Sequence, residues 1–190
     1  MTKEILKLTA TFLGLDEVSN YLSSEEETEP SEEVKNQINQ LIIFMNYVIR
    51  EIAKDYFPLN FKETISSDQE GKIFYNKLKK TAIRIKDIKN FLDLSCHFEI
   101  FPEYVKVESP STEYKIFYCY VPKNINNITE EVELPFGVDY FIVCFGVASE
   151  YLSSKGLYEE AEMWESKFLS ELKSIKHIHG ERRFFARRLK

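Results

Sequence analysis

The sequence lacks any apolar run approaching the roughly 20 residues that a membrane-spanning helix needs, and its most apolar stretch, Phe141 to Ala148, is far too short. It also lacks a cleavable apolar leader. The opening Met-Thr-Lys-Glu-Ile-Leu-Lys brings an acidic residue early, so the expectation is a chain that stays in the cytoplasm where it is made, with no membrane contact. Cysteine is scarce and odd in number: Cys96, Cys119 and Cys144 lie far apart, which argues against a disulfide framework and predicts reduced, mostly buried thiols. There is no glycine-rich phosphate loop, no nucleophile elbow and no paired cysteine spacing for zinc. The expectation is therefore a non-enzymatic protein with no catalytic residue, no cofactor and no metal.

The only candidates for a metal or nucleophile site are Cys96-His97 and the pair His177 and His179. Adjacent strand residues point to opposite faces, so Cys96 and His97 would not share a ligand, and His177 and His179 are badly spaced for one helix face. Carboxylates are plentiful, but they lie in charge runs or on helix faces, where solvation accounts for them.

What is present is enough apolar material, 44% of 190 residues, for one domain with a core. The net charge of -6 disfavours nucleic-acid binding by the protein as a whole, but it hides an asymmetry. Six of the nine residues from Glu25 to Glu33 are acidic, whereas the nine from Arg182 hold four arginines and Lys190 with no acid among them.

Along the chain, Ile5, Leu6, Leu8, Phe12, Leu13, Leu15 and Val18 suit one or two short amphipathic helices broken near Gly14. Ser23 to Glu29 has no apolar residue and reads as a solvated loop. Ser31 followed by Glu32 and Glu33 is a helix start, and Val34, Ile38, Leu41, Met45, Val48, Ile52 and Tyr56 then form one stripe that Pro58 ends. Strand patterns follow at Phe61 to Ser66, Ile73 to Tyr75, Thr81 to Ile85, His97 to Val107 and Tyr114 to Val121. Glu108 to Thr112 has turn residues suited to a hairpin between the last two. Pro135 suits the first position of a second long helix running to about Ser154, Lys155-Gly156 closes it, and Leu157, Ala161, Trp164, Phe168, Leu172 and Ile175 mark a third long helix. The short connection makes these two an antiparallel hairpin.

Beyond Gly180 the chain is basic and aromatic. Arg182, Arg183, Phe184, Phe185, Arg187 and Arg188 combine forked donors for carboxylates with aromatic anchors, the side chains over-represented at interface hot spots. Back-packing of the phenylalanines onto the hairpin, or binding of phosphate and bases, would use the same residues.

The run Leu134-Pro135, Ala148-Ser149-Glu150-Tyr151-Leu152, Gly156, Glu160-Ala161, Phe168 and Leu172, with the arginine-rich tail, resembles the C-terminal part of head-to-tail connector (adaptor, neck ring) proteins of tailed bacteriophages. So does the order of parts. The resemblance implies a virion structural protein at the head-tail junction that forms a homo-oligomeric, dodecameric ring. Such a ring joins the portal protein to the next tail or neck protein, and DNA passes through its lumen without specific binding. It makes the six tail residues the portal-contacting segment and the hairpin part of the ring wall. An acidic lumen would avoid sticking to passing phosphate.

The expected fold is α+β, mainly α: a helical bundle with an inserted small antiparallel β-sheet and a C-terminal helical hairpin plus extended tail. The expected parts of this single domain are N-terminal helices over 1–58, the β region over 59–122, the hairpin over 134–178 and the docking tail over 180–190. The alternative function is a cytoplasmic tetratricopeptide-like scaffold, suggested by Ala148, Tyr151, Gly156, Tyr158, Ala161 and Phe168, although no second copy of the motif is found. A third is a nucleic-acid binder acting through the C-terminal arginines. It requires an affinity that falls steeply with salt, so binding measured at two salt concentrations separates it from the others.

Overall fold

The computed structural model describes residues 1–24 and 29–179. Within them the chain forms five α-helices and six β-strands, divided into two compact units: Met1–Met45 with the chain from Gly137 on, and Asn46–Phe136.

The first unit is helical, with α1 (Thr2–Phe12), α2 (Asp16–Ser23), the first part of α3 (Glu32–Glu51), α4 (Tyr140–Ser154) and α5 (Tyr158–His179). At the end of α4, Gly156 sits at φ 79°, a left-handed conformation that costs glycine little. Its N–H donates to Ser153 O at 3.0 Å and that of Leu157 to Leu152 O at 3.1 Å, satisfying carbonyls the helix leaves free. The same closure recurs after α1 around Gly14. At the start of α3, Ser31 Oγ accepts from the Val34 N–H at 3.3 Å, and Glu32 and Glu33 occupy the first turn. Of the acidic stretch before it, residues 25–28 lie outside the described residues.

α4 begins at Tyr140 and not at Pro135, because Asp139 supplies a better cap: its backbone is extended and its carboxylate accepts from the Phe141 N–H at 3.0 Å. The helix is buried on most sides, from Ile142 to Leu152, as expected of a helix inside its unit. α1 and α5 both pack on it. Ser149 Oγ donates to Ala161 O at 3.0 Å across the α4–α5 contact, and Phe12, Phe145 and Trp164 join α1, α4 and α5 with ring centroids 5.0–5.8 Å apart. On α5, Ala161, Phe168, Leu172 and Ile175 are buried, whereas Leu157 is exposed because it belongs to the turn.

The second unit receives the end of α3, which closes in a π-turn over Ile52–Tyr56 with the Phe57 N–H donating to Ile52 O at 2.8 Å before Pro58. Two antiparallel sheets follow. In the first, β6 (Glu113–Tyr120) lies between β1 (Leu59–Ser66) and β3 (Ala82–Lys89). In the second, β5 (Tyr104–Val107) lies between β2 (Lys72–Phe74) and β4 (Phe98–Ile100). One apolar cluster serves both, with Tyr114, Ile116, Tyr118 and Tyr120 of β6 meeting Ile85 and Ile88 of β3 and Ile73 and Val105 of the other sheet.

This corrects the expected architecture, a mainly α bundle carrying one small inserted antiparallel sheet. Among the described residues the structure is 47% helix and 20% strand, and its β segment is a compact unit with two three-stranded sheets and its own core. The expected strand His97 to Val107 breaks into β4 and β5 because Pro102 cannot donate to a ladder, and the chain turns there with the Phe101 N–H on Tyr104 O at 2.9 Å. Nor do β5 and β6 form a hairpin. Ser67 N–H donates to Thr112 O at 3.0 Å, Ser111 N–H to Asp68 O at 2.8 Å, and Ser67 Oγ to Ser109 O at 3.0 Å, so the 109–112 backbone is bound by the β1–β2 connection and passes from one sheet to the other.

The long connection after β6 is anchored near its start by the Asn46 amide. Asn46 Nδ2 donates to Ile125 O at 2.7 Å and the Ile125 N–H donates to Asn46 Oδ1 at 2.8 Å, satisfying both backbone groups of a buried residue. Asn46→Ala is expected to cost about 2–4 kcal/mol, one unsatisfied buried group for each lost bond, measured as a lower midpoint in chemical denaturation.

Candidate interaction site

The six tail residues singled out from sequence, Arg182, Arg183, Phe184, Phe185, Arg187 and Arg188, lie outside the described residues, as does Gly180. α5 reaches His179, so that segment follows this helix in the chain. Of the other candidates, Cys96 is partly buried with its Sγ 3.5 Å from Leu94 O, and the neighbouring His97 is exposed. Among the described residues, no three His, Cys, Asp or Glu side chains lie close enough together to hold a metal ion. All three cysteines are free, and burial pushes the Cys144 thiol up to about 11, too high for a reactive thiolate near neutral pH. No helix among the described residues is long and apolar enough to cross a membrane.

The most closely connected polar groups lie in the β unit. Glu63 on β1 is 8% exposed, and its Oε1 accepts from Tyr118 Oη at 2.5 Å and from the Lys79 N–H at 3.0 Å. The Lys80 N–H reaches Tyr118 Oη at 3.3 Å. Beside it, Tyr120 Oη donates to Glu133 Oε1, and Lys80 Nζ pairs with Glu133 Oε2 at 3.2 Å while lying 4.9 Å from the centre of the Tyr120 ring. Burial, and then the hydrogen bonds to Glu63 and Glu133, raise both phenols above their ordinary range. Tyr118 and Tyr120 are thus held neutral as donors. The network ties the 79–80 segment and the long connection onto β6, a structural task.

The opposite character appears after β3, in a loop closed by several backbone hydrogen bonds while its apolar side chains face solvent. Asn90 Oδ1 accepts from the N–H groups of Leu92 at 3.0 Å and Leu94 at 3.1 Å, and the Asn90 N–H donates to Leu94 O at 3.0 Å. Asp93 takes a left-handed φ of 59°, a conformation that Asp tolerates better than most residues. Its Oδ1 receives Lys115 Nζ at 2.8 Å, which holds its carboxyl below the usual range. At the base, Ser95 Oγ donates to Asp87 Oδ2 at 2.9 Å and the Cys96 N–H to Ile88 O at 2.8 Å. The loop displays Phe91 at 75% exposure, Leu92 at 62% and Leu94 at 59%. These three side chains form an exposed apolar projection and make this loop the candidate interaction site.

A concavity of about 360 Å³ lies in the same unit, between the start of β3 and the β4–β5 turn. Its walls are Tyr75, Ile83, Arg84, Ile100, Phe101 and Pro102. Tyr75 Oη donates to Phe101 O at 3.0 Å and fixes one wall. Apart from Arg84 the walls are largely apolar, so the site can seat an apolar side chain beside a carboxylate but offers no nucleophile or acid-base pair. No family model matches the chain, and no curated protein is detectably similar to it.

Sequence reasoning missed both features. The signal was Phe91-Leu92-Asp93-Leu94 between Asn90 and Ser95, an apolar run too short for a strand and bracketed by turn residues. Apolar residues are assigned to the core by default, and only accessibility reveals the exception.

Tyr118→Phe removes a donor from the buried Glu63 carboxylate and is expected to cost about 1.5–3 kcal/mol at neutral pH. A phenol whose folded pKa is raised stabilises the fold fully below the unfolded value, about 10, and loses that contribution as pH rises beyond it. The unfolding free energy of the wild type is therefore expected to decline above about pH 10, and to decline less steeply in the Tyr118→Phe/Tyr120→Phe double variant, as followed by urea titrations across that range.

Proposed function

We propose that this protein is a structural component of a tailed-bacteriophage virion, a head-to-tail connector that assembles as a ring between the portal and the tail. One observation carries the reading. The helical unit is built from both ends of the chain, the whole β unit is a single continuous insertion, and the last helix leads in sequence to the arginine- and phenylalanine-rich segment. In such a protein the α4–α5 hairpin is part of the ring wall and the segment from Arg182 is the portal anchor. The ring is homo-oligomeric, with the dodecamer as the expected form, and DNA passes through it without sequence-specific contacts.

Physical support comes from α4 and α5. α4 is buried on most of its surface and α5 is held to it by Ser149 and by the Phe12, Phe145 and Trp164 rings, which gives a stiff support for a short docking segment. Four arginines and two phenylalanines in seven residues, from Arg182 to Arg188, suit an anchor that contributes forked hydrogen bonds and apolar burial together. The tetratricopeptide-like scaffold leaves the β unit without a role.

The test is co-purification with the cognate portal protein. The full-length chain is expected to bind, and a chain ending at Glu181, or one carrying Arg187→Glu and Arg188→Glu, to bind about tenfold or more weakly. Equal binding by the shortened chain overturns the tail assignment. Absence of binding by the full-length chain overturns the connector reading.

A further inference from the structure

We propose that copies of this chain join head to tail through the β unit, with the Asn90–Ser95 loop of one copy seated in the Ile83–Ile100–Pro102 groove of the next. The proposal rests on the connector reading only for the closure of that series of contacts into a ring.

The two surfaces match in shape and chemistry. The loop is a convex apolar projection built on a hydrogen-bonded turn, so little ordering is needed when it binds. The groove is concave and lined by Tyr75, Ile83, Ile100, Phe101 and Pro102, with a volume suited to one large side chain and part of a second. Phe91 is the natural anchor, since aromatic residues dominate such contacts. The charges match as well. Asp93 lies between Leu92 and Leu94, and Lys115 engages only its Oδ1, which leaves Oδ2 for Arg84 of the neighbouring groove.

A single chain cannot make this contact with itself, because β3 holds the two surfaces apart. The groove takes Ile83 and Arg84 from one end of the strand and the loop begins after Lys89 at the other, roughly 16 Å away for the five extended steps from Arg84. The loop of one copy therefore meets the groove of another while its own groove stays open for a third. Such a heterologous contact repeats until it closes into a ring or grows as a filament.

The edge of β3 agrees with this. Near the loop the edge is covered, with Lys89 bridged to Ser95 and Ile88 O bonded to Cys96. Toward the groove, strand pairing occupies only the β6 side, and bulges interrupt β3 between Ala82 and Arg84 and between Ile85 and Asp87. Edges irregular in this way resist open-ended strand addition and favour a contact through side chains.

The experiment uses the full chain with Phe91→Asp as the loop variant and Ile83→Glu as the groove variant, both at exposed positions, with circular dichroism and thermal unfolding confirming that each folds. Size is read by sedimentation velocity and native mass spectrometry. The wild type is expected to form oligomers, each variant alone to raise the dissociation constant about tenfold or more, and an equal mixture of the two to form a one-to-one dimer. The dimer arises because one partner keeps a working groove and the other a working loop. Wild-type assembly unchanged by either variant, failure of the mixture to pair, or a wild type that stays monomeric at the highest attainable concentration overturns the proposal. Portal co-purification reports separately: a portal-binding chain whose assembly ignores Phe91 removes this interface and leaves the connector reading, whereas loop-dependent oligomers that never bind portal do the reverse.

Discussion

The β unit depends on strand β6. Both β1 and β3 pair with it, and its alternation sends Tyr114, Ile116, Tyr118 and Tyr120 to the side shared with the second sheet. Full burial of an apolar side chain such as Ile116 contributes about 1.5–3 kcal/mol. The tyrosines add a further constraint, because a buried hydroxyl must find a partner. Tyr118 finds Glu63 and Tyr120 finds Glu133, and those carboxylates in turn fix the 79–80 segment and the connection that leaves the sheet. The strand order, the shared core and the polar network all follow from the placement of one eight-residue strand.

That network and the Asn90 loop use hydrogen bonds for opposite ends. Around Glu63 the bonds compensate for burial of a charge and its neighbours. In the loop they compensate for nothing buried, and they hold Phe91, Leu92 and Leu94 in water, where apolar area is unfavourable. The proposed loop-to-groove contact between copies would cover these three side chains. In the helical unit, α4 is buried on most of its surface, while exposed apolar side chains such as Ile43, Tyr158 and Met163 are spread over different helices.

Local features were legible in the sequence where a single residue type enforces them. Gly14 and Gly156 close their helices in the left-handed conformation, Ser31 caps α3, and the stripe from Val34 to Ile52 is buried. Pro135 was misleading as a helix start because Asp139 competes with a side-chain cap. The expected hairpin at Glu108 to Thr112 was misleading for a different reason: turn residues mark a change of direction, but the partner of the strand that follows depends on Ser67 and Asp68, more than forty positions away. At the candidate site nothing local separates Phe91 from a core phenylalanine. The arginine- and phenylalanine-rich tail was legible as composition alone.

The sequence by itself determined which segments are helix and which alternate as strands, where several of them stop, and how charge divides between the acidic stretch near Glu25 and the arginines after Glu181. These depend on backbone sterics, capping and periodicity, all set within a few residues. Tertiary structure alone decided that the strands form two sheets around one cluster, that Glu63 and Glu133 meet Tyr118 and Tyr120, and that an apolar loop stays exposed while a groove opens at the other end of the same strand. Each of these is a competition among distant segments for the same apolar surface and the same hydrogen-bond partners, and local pattern does not contain its outcome.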